Sequence, residues 1–201
     1  MNQSDFSVMF MSCLYHRNII GYEYLDDYIL QTAKKLRREK EVTATWNCDT
    51  FTTFNGVYDL KDDHKMAPLL NEFKIQIDHV SRTFYGFRNP DIIQRDCWLN
   101  LAMLDEYQEY HLHEHSDFSL VYYPIVDENT GAIVFRDATE KRVTPISPKT
   151  HSDANNVTWR YQPNMHDLVI FRSYQEHMVL KNKSNSHRVS ISANFTVKER
   201  Q

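Results

Sequence analysis

The stretch Tyr110-His111-Leu112-His113-Glu114-His115-Ser116-Asp117 sets three of the chain's ten histidines within five residues. In an extended strand alternate side chains share a face, so His111 and His113 point the same way and their imidazoles can meet on one metal. Imidazole serves iron, zinc, copper and nickel alike, so the pair does not choose the metal. The bland reading is an exposed polar strand end. A second register takes His115 and Asp117 as an HxD pair with His177, which restores a carboxylate ligand but sets Asp117 directly against the next strand with little room for a turn. A mixed set of His113 and His115 is a third arrangement. Further on, His177 stands in FRSYQEHMVLKN, where by itself it reads as a surface histidine. Eleven residues later Arg188 opens a strand that carries Ser190 on the same face. A guanidinium is a planar fork of donors that grips a carboxylate through two bonds, and a nearby hydroxyl can add a third. Each feature is weak alone. Their order, a histidine pair, a strand, a long loop, a lone histidine, then Arg-x-Ser, is the stronger signal.

These residues need a β framework, and the second half of the chain reads as one. Cys97 to Met103, Phe118 to Val126, Ala132 to Phe135, Asp167 to Phe171, His177 to Leu180 and Arg188 to Val197 are candidate strands, rich in β-branched and aromatic residues. The last alternates, with Val189, Ile191, Ala193 and Phe195 on one face and Ser190, Ser192, Asn194 and Thr196 on the other. Short strands with turn residues between them predict a sandwich or barrel. Residues 137–163 form a polar stretch broken only by VTWRY. A loop that long is a lid or is disordered. The first half reads helical: Leu25, Ile29, Ala33 and Leu36 make one apolar stripe over Tyr24 to Lys40, and Met66, Leu70, Phe73, Ile77, Val80 and Phe84 make another over Met66 to Phe84. Pro68 falls in the second helix's first turn and Gly86 is placed to end it. Both helices are expected to pack on the outer face of a sheet. Tyr107, Tyr110, Tyr122, Trp159 and Tyr161 either line a pocket or fill the core, and core is the default.

Composition bounds the rest. The 201 residues, 41% hydrophobic, suit a single domain, with helical support over about 1–90 and a β core over about 91–198. The net charge of −4 argues against a dedicated nucleic-acid binder. The one basic run, Lys34, Lys35, Arg37, Arg38 and Lys40, reads as a solvated helix face. Cys13, Cys48 and Cys97 are odd in number and widely spaced, which fits idle thiols in a reducing compartment. The start lacks a basic n-region and no apolar run is long enough to span a membrane, so neither a signal peptide nor a membrane anchor is expected, and the cytoplasm is the expected location (host cytoplasm for a phage-encoded chain). Asn156-Val157-Thr158 and Asn182-Lys183-Ser184 match the glycosylation sequon, a pattern that arises often by chance. The oligomeric state stays open, a homodimer included.

Taken together, these motifs resemble the 2-oxoglutarate/iron(II) oxygenase superfamily, and within it a subfamily common in marine bacteria and phages. That subfamily carries HxHxxSxxSGxYY, then Pro-x-x-Gly-Asp-Leu-x-x-Phe-Pro-Ser, then His and Arg-x-Ser-x-x-x-Asn. Here the first runs from His111 through His113, Ser116, Ser119 and Tyr122 to Tyr123. The second runs from Pro163 through Asp167, Leu168 and Phe171 to Ser173, and the third is His177, Arg188, Ser190 and Asn194. Trp98-Leu99-Asn100 matches a Trp-x-Asn upstream, and the likeness extends over roughly residues 46–195. Departures are Leu120 and His166 where the pattern has Gly, and Arg172 where it has Pro.

The resemblance implies a double-stranded β-helix, a jelly roll of cupin type with supporting helices on its N-terminal side. It implies an Fe(II) and 2-oxoglutarate dependent dioxygenase with His111, His113 and His177 as iron ligands. Arg188 and Ser190 would bind the distal carboxylate of 2-oxoglutarate, with Tyr123 assisting and Asn100 reaching the cosubstrate from the neighbouring strand. Dioxygen and an unidentified small-molecule, peptide or protein substrate complete the partners, and the expected outcome is hydroxylation with release of succinate and carbon dioxide. The superfamily usually supplies two histidines and a carboxylate, so His113 stands where a carboxylate is common. The competing classes are a non-catalytic cupin-like metal-binding or sensing module, a zinc hydrolase using Glu114 as base, and a structural jelly roll.

Overall fold

Alternation in the C-terminal strand sets the architecture. The computed structural model describes residues 12–39, 50–54, 56, 58–137 and 157–200. Strand β1 spans Tyr15–Asn18, helix α1 Asp26–Glu39, β2 Phe51–Thr52, helix α2 Ala67–Thr83, β3 Pro90–Ala102 and β4 Gln108–His111. Then follow β5 Phe118–Ile125, β6 Ile133–Arg136, β7 Thr158–Tyr161, β8 Asp167–Arg172, β9 His177–Val179 and β10 Arg188–Glu199. A six-stranded sheet has the order β1-β8-β5-β10-β3-β2, and a four-stranded sheet the order β4-β9-β6-β7. The strand pairings are antiparallel. This is the jelly-roll layout expected from the sequence.

One face of β10 buries Val189, Ile191, Ala193 and Phe195 in a core shared with the helices, as the alternation predicts. Ile29 and Ala33 of α1 and Phe73 and Ile77 of α2 fill that core at no more than 1% exposure. Burying each of the three larger side chains contributes about 1.5–3 kcal/mol. Pro68 lies in the first turn of α2, where its missing N–H costs nothing. Gly86, at φ 76°, turns the chain out of α2. A smaller core of Val121, Tyr123, Ile133, Phe135, Val169 and Phe171 lies between the two sheets.

Several expectations need correction. Arg37 does not belong to a solvated face: it forms a two-pronged ion pair with Glu106 and donates to the Leu101 carbonyl at 3.1 Å, tying α1 to the end of β3. Lys40 lies outside the described residues. Of the five aromatics assigned by default to the core, Tyr122 is fully buried, but Trp159 is 47% exposed and Tyr107, Tyr110 and Tyr161 are half-buried. VTWRY supplies β7, which pairs with β6, and residues 138–156 of the expected long loop lie outside the described residues. Strand β3 starts at Pro90, seven residues before Cys97. The helical first part of the chain also contributes β1 and β2 to the larger sheet. Cys13 and Cys97 are free, and Cys48 lies outside the described residues. Asn182 is fully buried and donates to the carbonyls of Ala102 and Ser186, so its amide holds a loop together rather than offering a sugar acceptor. Asn156 lies outside the described residues. Among the described residues no helix is long and apolar enough to cross a membrane.

Candidate metal and cosubstrate site

Strands β4 and β9 pair so that His111 lies directly opposite His177. Residues opposite one another in an antiparallel pair share a face, so both imidazoles turn into the space between the sheets. His113 is not on the strand: β4 ends at His111, and His113 begins a turn. The turn still brings His113 back beside the pair. The ring centroids of His111 and His177 are 4.2 Å apart, those of His113 and His177 5.2 Å. The nearest ligand atoms of His111, His113 and His177 all lie within 4.8 Å of one another.

The nitrogens that face inward are fixed by what the other nitrogens do. Nδ1 of His111 donates to the Glu109 carbonyl at 2.7 Å, and Nδ1 of His177 to the Gln175 carbonyl at 3.0 Å. A carbonyl can only accept, so Nδ1 carries the proton in both and Nε2 carries the lone pair. His113 Nε2 lies 3.4 Å from His177 Nε2. Without a metal, His113 can donate from Nε2 to the His177 lone pair; with its proton on Nδ1 instead, three lone pairs converge, a donor set that fits a first-row divalent metal. Burial drives all three pKa values down: His177 well below its ordinary value, His113 to about 3, and His111 downward against the pull of the Glu109 carbonyl. Burial is the first cause in each, and neighbouring imidazoles add to it for His113 and His177. At neutral pH all three are therefore uncharged, the form that binds metal. Trp98 stacks on His113 at 5.5 Å between centroids.

The same cavity is lined by Asn100, Tyr123, Arg188, Ser190 and Ser192. Arg188, 3% exposed, opens β10, and its Nη1 donates to the carbonyls of Thr130 and Leu180 at 3.1 and 3.3 Å. Ser190 lies opposite Asn100 across β3 and β10, and the Asn100 amide donates to Ser192 Oγ at 3.2 Å and Ser190 Oγ at 3.5 Å. Two buried oxygens in this cavity have no partner, Tyr123 Oη and Asn100 Oδ1. Burial raises the Tyr123 phenol above its ordinary range while Arg188 opposes the rise, so it is a neutral donor beside a cation. A buried hydroxyl without a partner costs roughly 1–3 kcal/mol. A cation, a phenol and a serine around one apolar-walled space suit a small dicarboxylate, which would supply the acceptor that Tyr123 Oη lacks.

The fold brings together each of the residues singled out first, His111, His113, His177, Arg188, Ser190, Tyr123 and Asn100. It separates the alternatives. His115, at φ 63°, has a side chain 90% exposed and lies beside the exposed Glu114. Asp117 turns its Oδ2 to the Val197 amide at 2.9 Å. Glu114 and Asp117 are both absent from the cavity lining, which leaves a hydrolase without its base. Trp98, Ser119 and Ser192 line the cavity without having been given a role from sequence, although all three stand in or beside the quoted motifs. Gly131 holds the loop under Arg188, and only its being one of four glycines in the chain hinted at it.

A jelly roll with three converging imidazoles and a buried arginine offers a metal site beside a place for a carboxylate. A family model described as "Putative 2OG-Fe(II) oxygenase" matches residues 96–194. Residues 96–194 are a 2OG-Fe(II) oxygenase domain, and the protein is an oxidoreductase with iron as cofactor and 2-oxoglutarate as cosubstrate. Solved structures share its fold. A Pseudomonas putida prolyl-4-hydroxylase is 14% identical at a TM-score of 0.61, covering 94% of this chain and 93% of that one. The 2-oxoglutarate dependent carbocyclase SnoK of nogalamycin biosynthesis is 11% identical at a TM-score of 0.62, covering 93% and 81%. HygX of Streptomyces hygroscopicus, solved with nickel and 2-oxoglutarate, is 10% identical at a TM-score of 0.57, covering 92% and 83%. No curated protein sequence matches the chain.

Proposed function

We propose that His111, His113 and His177 hold the iron, that Arg188 and Ser190 take the distal carboxylate of 2-oxoglutarate, and that Tyr123 and Asn100 complete that end of the cavity. The observation that carries this reading is the single cavity lined by the three histidines, Arg188 and the unpartnered Tyr123 Oη. When bound, iron(II) with 2-oxoglutarate and dioxygen supplies an oxidant for a substrate C–H bond, leaving succinate and carbon dioxide. The chain's own residues orient and protect. Buried Arg188 neutralises a carboxylate in a water-poor site, where its charge counts for more than in solvent. Trp98, Val121, Ile133 and Val179 keep the cavity wall apolar. His111 and His177 present Nε2 because their Nδ1 protons are already engaged.

We assign hydroxylation of a small molecule, peptide or protein as the outcome, in the cytoplasm. The acidic charge balance and the ion-paired Arg37 in the one basic run argue against nucleic acid. The kinship to a marine bacterial and phage subfamily is part of the same proposal and rests on the motif order. The test is anaerobic addition of Fe(II) and then 2-oxoglutarate to the purified protein, followed by visible absorption. A weak charge-transfer band is expected in wild type and is expected to be lost in His177→Ala and Arg188→Ala. Metal binding without the band in wild type would replace this reading with a non-catalytic metal-binding module.

A further inference from the structure

His111 and His177 are set by strand pairing and by their own Nδ1 bonds. His113 stands beyond the strand end, and its main chain is what places it. Its amide donates to the Ser173 carbonyl at 2.9 Å, and the Ser173 amide donates to the Asp117 carbonyl at 3.1 Å. The main chain of one residue therefore clamps both ends of the turn 113–117, a turn that includes His115 in the left-handed region. Ser173 directly follows the end of β8, so a bond to its side chain is a further hold on this main chain.

That side chain is held. Ser119 Oγ lies 2.9 Å from Ser173 Oγ and donates to Asn194 Oδ1 at 2.9 Å. A hydroxyl has one proton, so the Ser119 proton goes to Asn194 and the Ser173 proton goes to Ser119. The direction continues from the Asn194 amide toward Asp96 Oδ2 at 3.5 Å. Ser173 is fully buried, Ser119 is 1% exposed and Asn194 3%. Ser119 and Asn194 sit opposite each other on β5 and β10, the two central strands of the larger sheet. Ser173 is shut off from solvent, and hydrogen bonds in such a low-dielectric place fix geometry strongly.

We propose that Ser173 is a positioning residue for the metal, anchored through Ser119 and Asn194 to the sheet and acting on His113 through its main chain. The inference rests on the metal-site reading above. Removing either hydroxyl loosens the turn without touching a ligand, and supporting groups of this sort are worth about 10-fold or more in metal affinity.

The test is titration of the metal-free protein with Co(II) alone, read from its ligand-field absorption, on protein shown by circular dichroism to be folded at the working temperature. Wild type is expected to bind and His177→Ala to bind poorly. Ser173→Ala and Ser119→Ala are each expected to weaken Co(II) binding about 10-fold. The double variant is expected to be no weaker than either single one, because both cut the same relay. Ser81→Ala, which removes a fully buried hydroxyl in α2, is expected to bind as wild type does. If Ser173→Ala does not fold, Ser119→Ala decides. Wild-type affinity in the folded Ser variants, or additive losses in the double variant, overturns the positioning role alone. Failure of wild type to bind Co(II) overturns the metal site and this inference with it.

Discussion

Gly131 packs its bare Cα against the Leu180 carbonyl so closely that a Cβ there would lie 2.3 Å from the oxygen. The same oxygen accepts from Arg188 Nη1 at 3.3 Å, and the Leu180 amide donates to the Ala132 carbonyl at 2.9 Å. Gly131 also holds φ at 87°, where a side chain is strained. The neighbour is backbone and cannot swing aside, so any substitution must move the loop that cradles the guanidinium. Gly131→Ala is expected to cost about 1–3 kcal/mol of stability through that strain and to raise the 2-oxoglutarate half-saturation concentration about 10-fold. Denaturant unfolding reads the first and anaerobic titration of the Fe(II) protein the second. A variant that loses stability but keeps wild-type 2-oxoglutarate binding would separate Gly131 from Arg188.

Tyr123 carries opposite expectations for the free and the liganded protein. Its buried Oη has no partner, so Tyr123→Phe removes a polar atom that gains nothing in the unliganded state. The metal-free variant is expected to be as stable as wild type or more so, by up to about 1 kcal/mol. Its 2-oxoglutarate binding is expected to fall several-fold, because in the proposed site the cosubstrate carboxylate loses a donor beside Arg188. Thermal unfolding with and without Fe(II) and 2-oxoglutarate measures both. Equal destabilisation in the two states would mean that the hydroxyl has a structural role and none toward the ligand.

The three histidines make the metal-free protein sensitive to mild acid. In the unfolded chain each imidazole takes up a proton near its ordinary value of 6.5, while in the folded protein His113 stays neutral down to about 3 and His177 is held well below 6.5. Between those limits the unfolded state binds more protons, so stability is complete above about pH 6.5 and is lost as pH falls toward 3. The slope is about 1.4 kcal/mol per pH unit for each proton of difference. The urea midpoint of the metal-free protein is expected to drop between pH 6.5 and 5, and His113→Gln is expected to drop less steeply. An unchanged slope in that variant would remove His113 from the titration.

What could be read from sequence was what repeats locally. The alternation of Val189 to Phe195 and the helical stripes through Ile29 and Ile77 each have a period, and each is found in the core. The spacing of His111 and His113 put them together even though the strand ends between them, because the turn at His113 restores what the strand would have done. What could not be read was pairing across distance. Arg37 finds Glu106 across 69 positions, and Tyr15–Asn18 become a strand only because β8, some 150 residues on, offers an edge. Ser119 and Ser173 looked like separate motif positions until the fold set their hydroxyls in contact. Trp159 has a core residue's composition but sits on β7, the edge of the smaller sheet, where little covers it.

In the proposed ligand set, a third histidine in place of a carboxylate has a geometric consequence as well as an electrostatic one. His113 reaches the others through Nε2, the far side of its ring, from a main chain held by Ser173. An aspartate at this position is shorter, and its oxygens fall short of the point where Nε2 stands. A glutamate spans the distance but is more flexible. His113→Asp is therefore expected to bind Fe(II) about 10-fold or more weakly, and His113→Glu to recover much of that loss. In both variants the added negative charge is expected to weaken 2-oxoglutarate binding relative to metal binding, because the chelate is itself anionic. Parallel titrations with Fe(II) and with 2-oxoglutarate under anaerobic conditions separate reach from charge. If His113→Asp binds metal as tightly as wild type and turns over 2-oxoglutarate unchanged, the histidine is dispensable as a donor and the turn is free to carry a carboxylate inward.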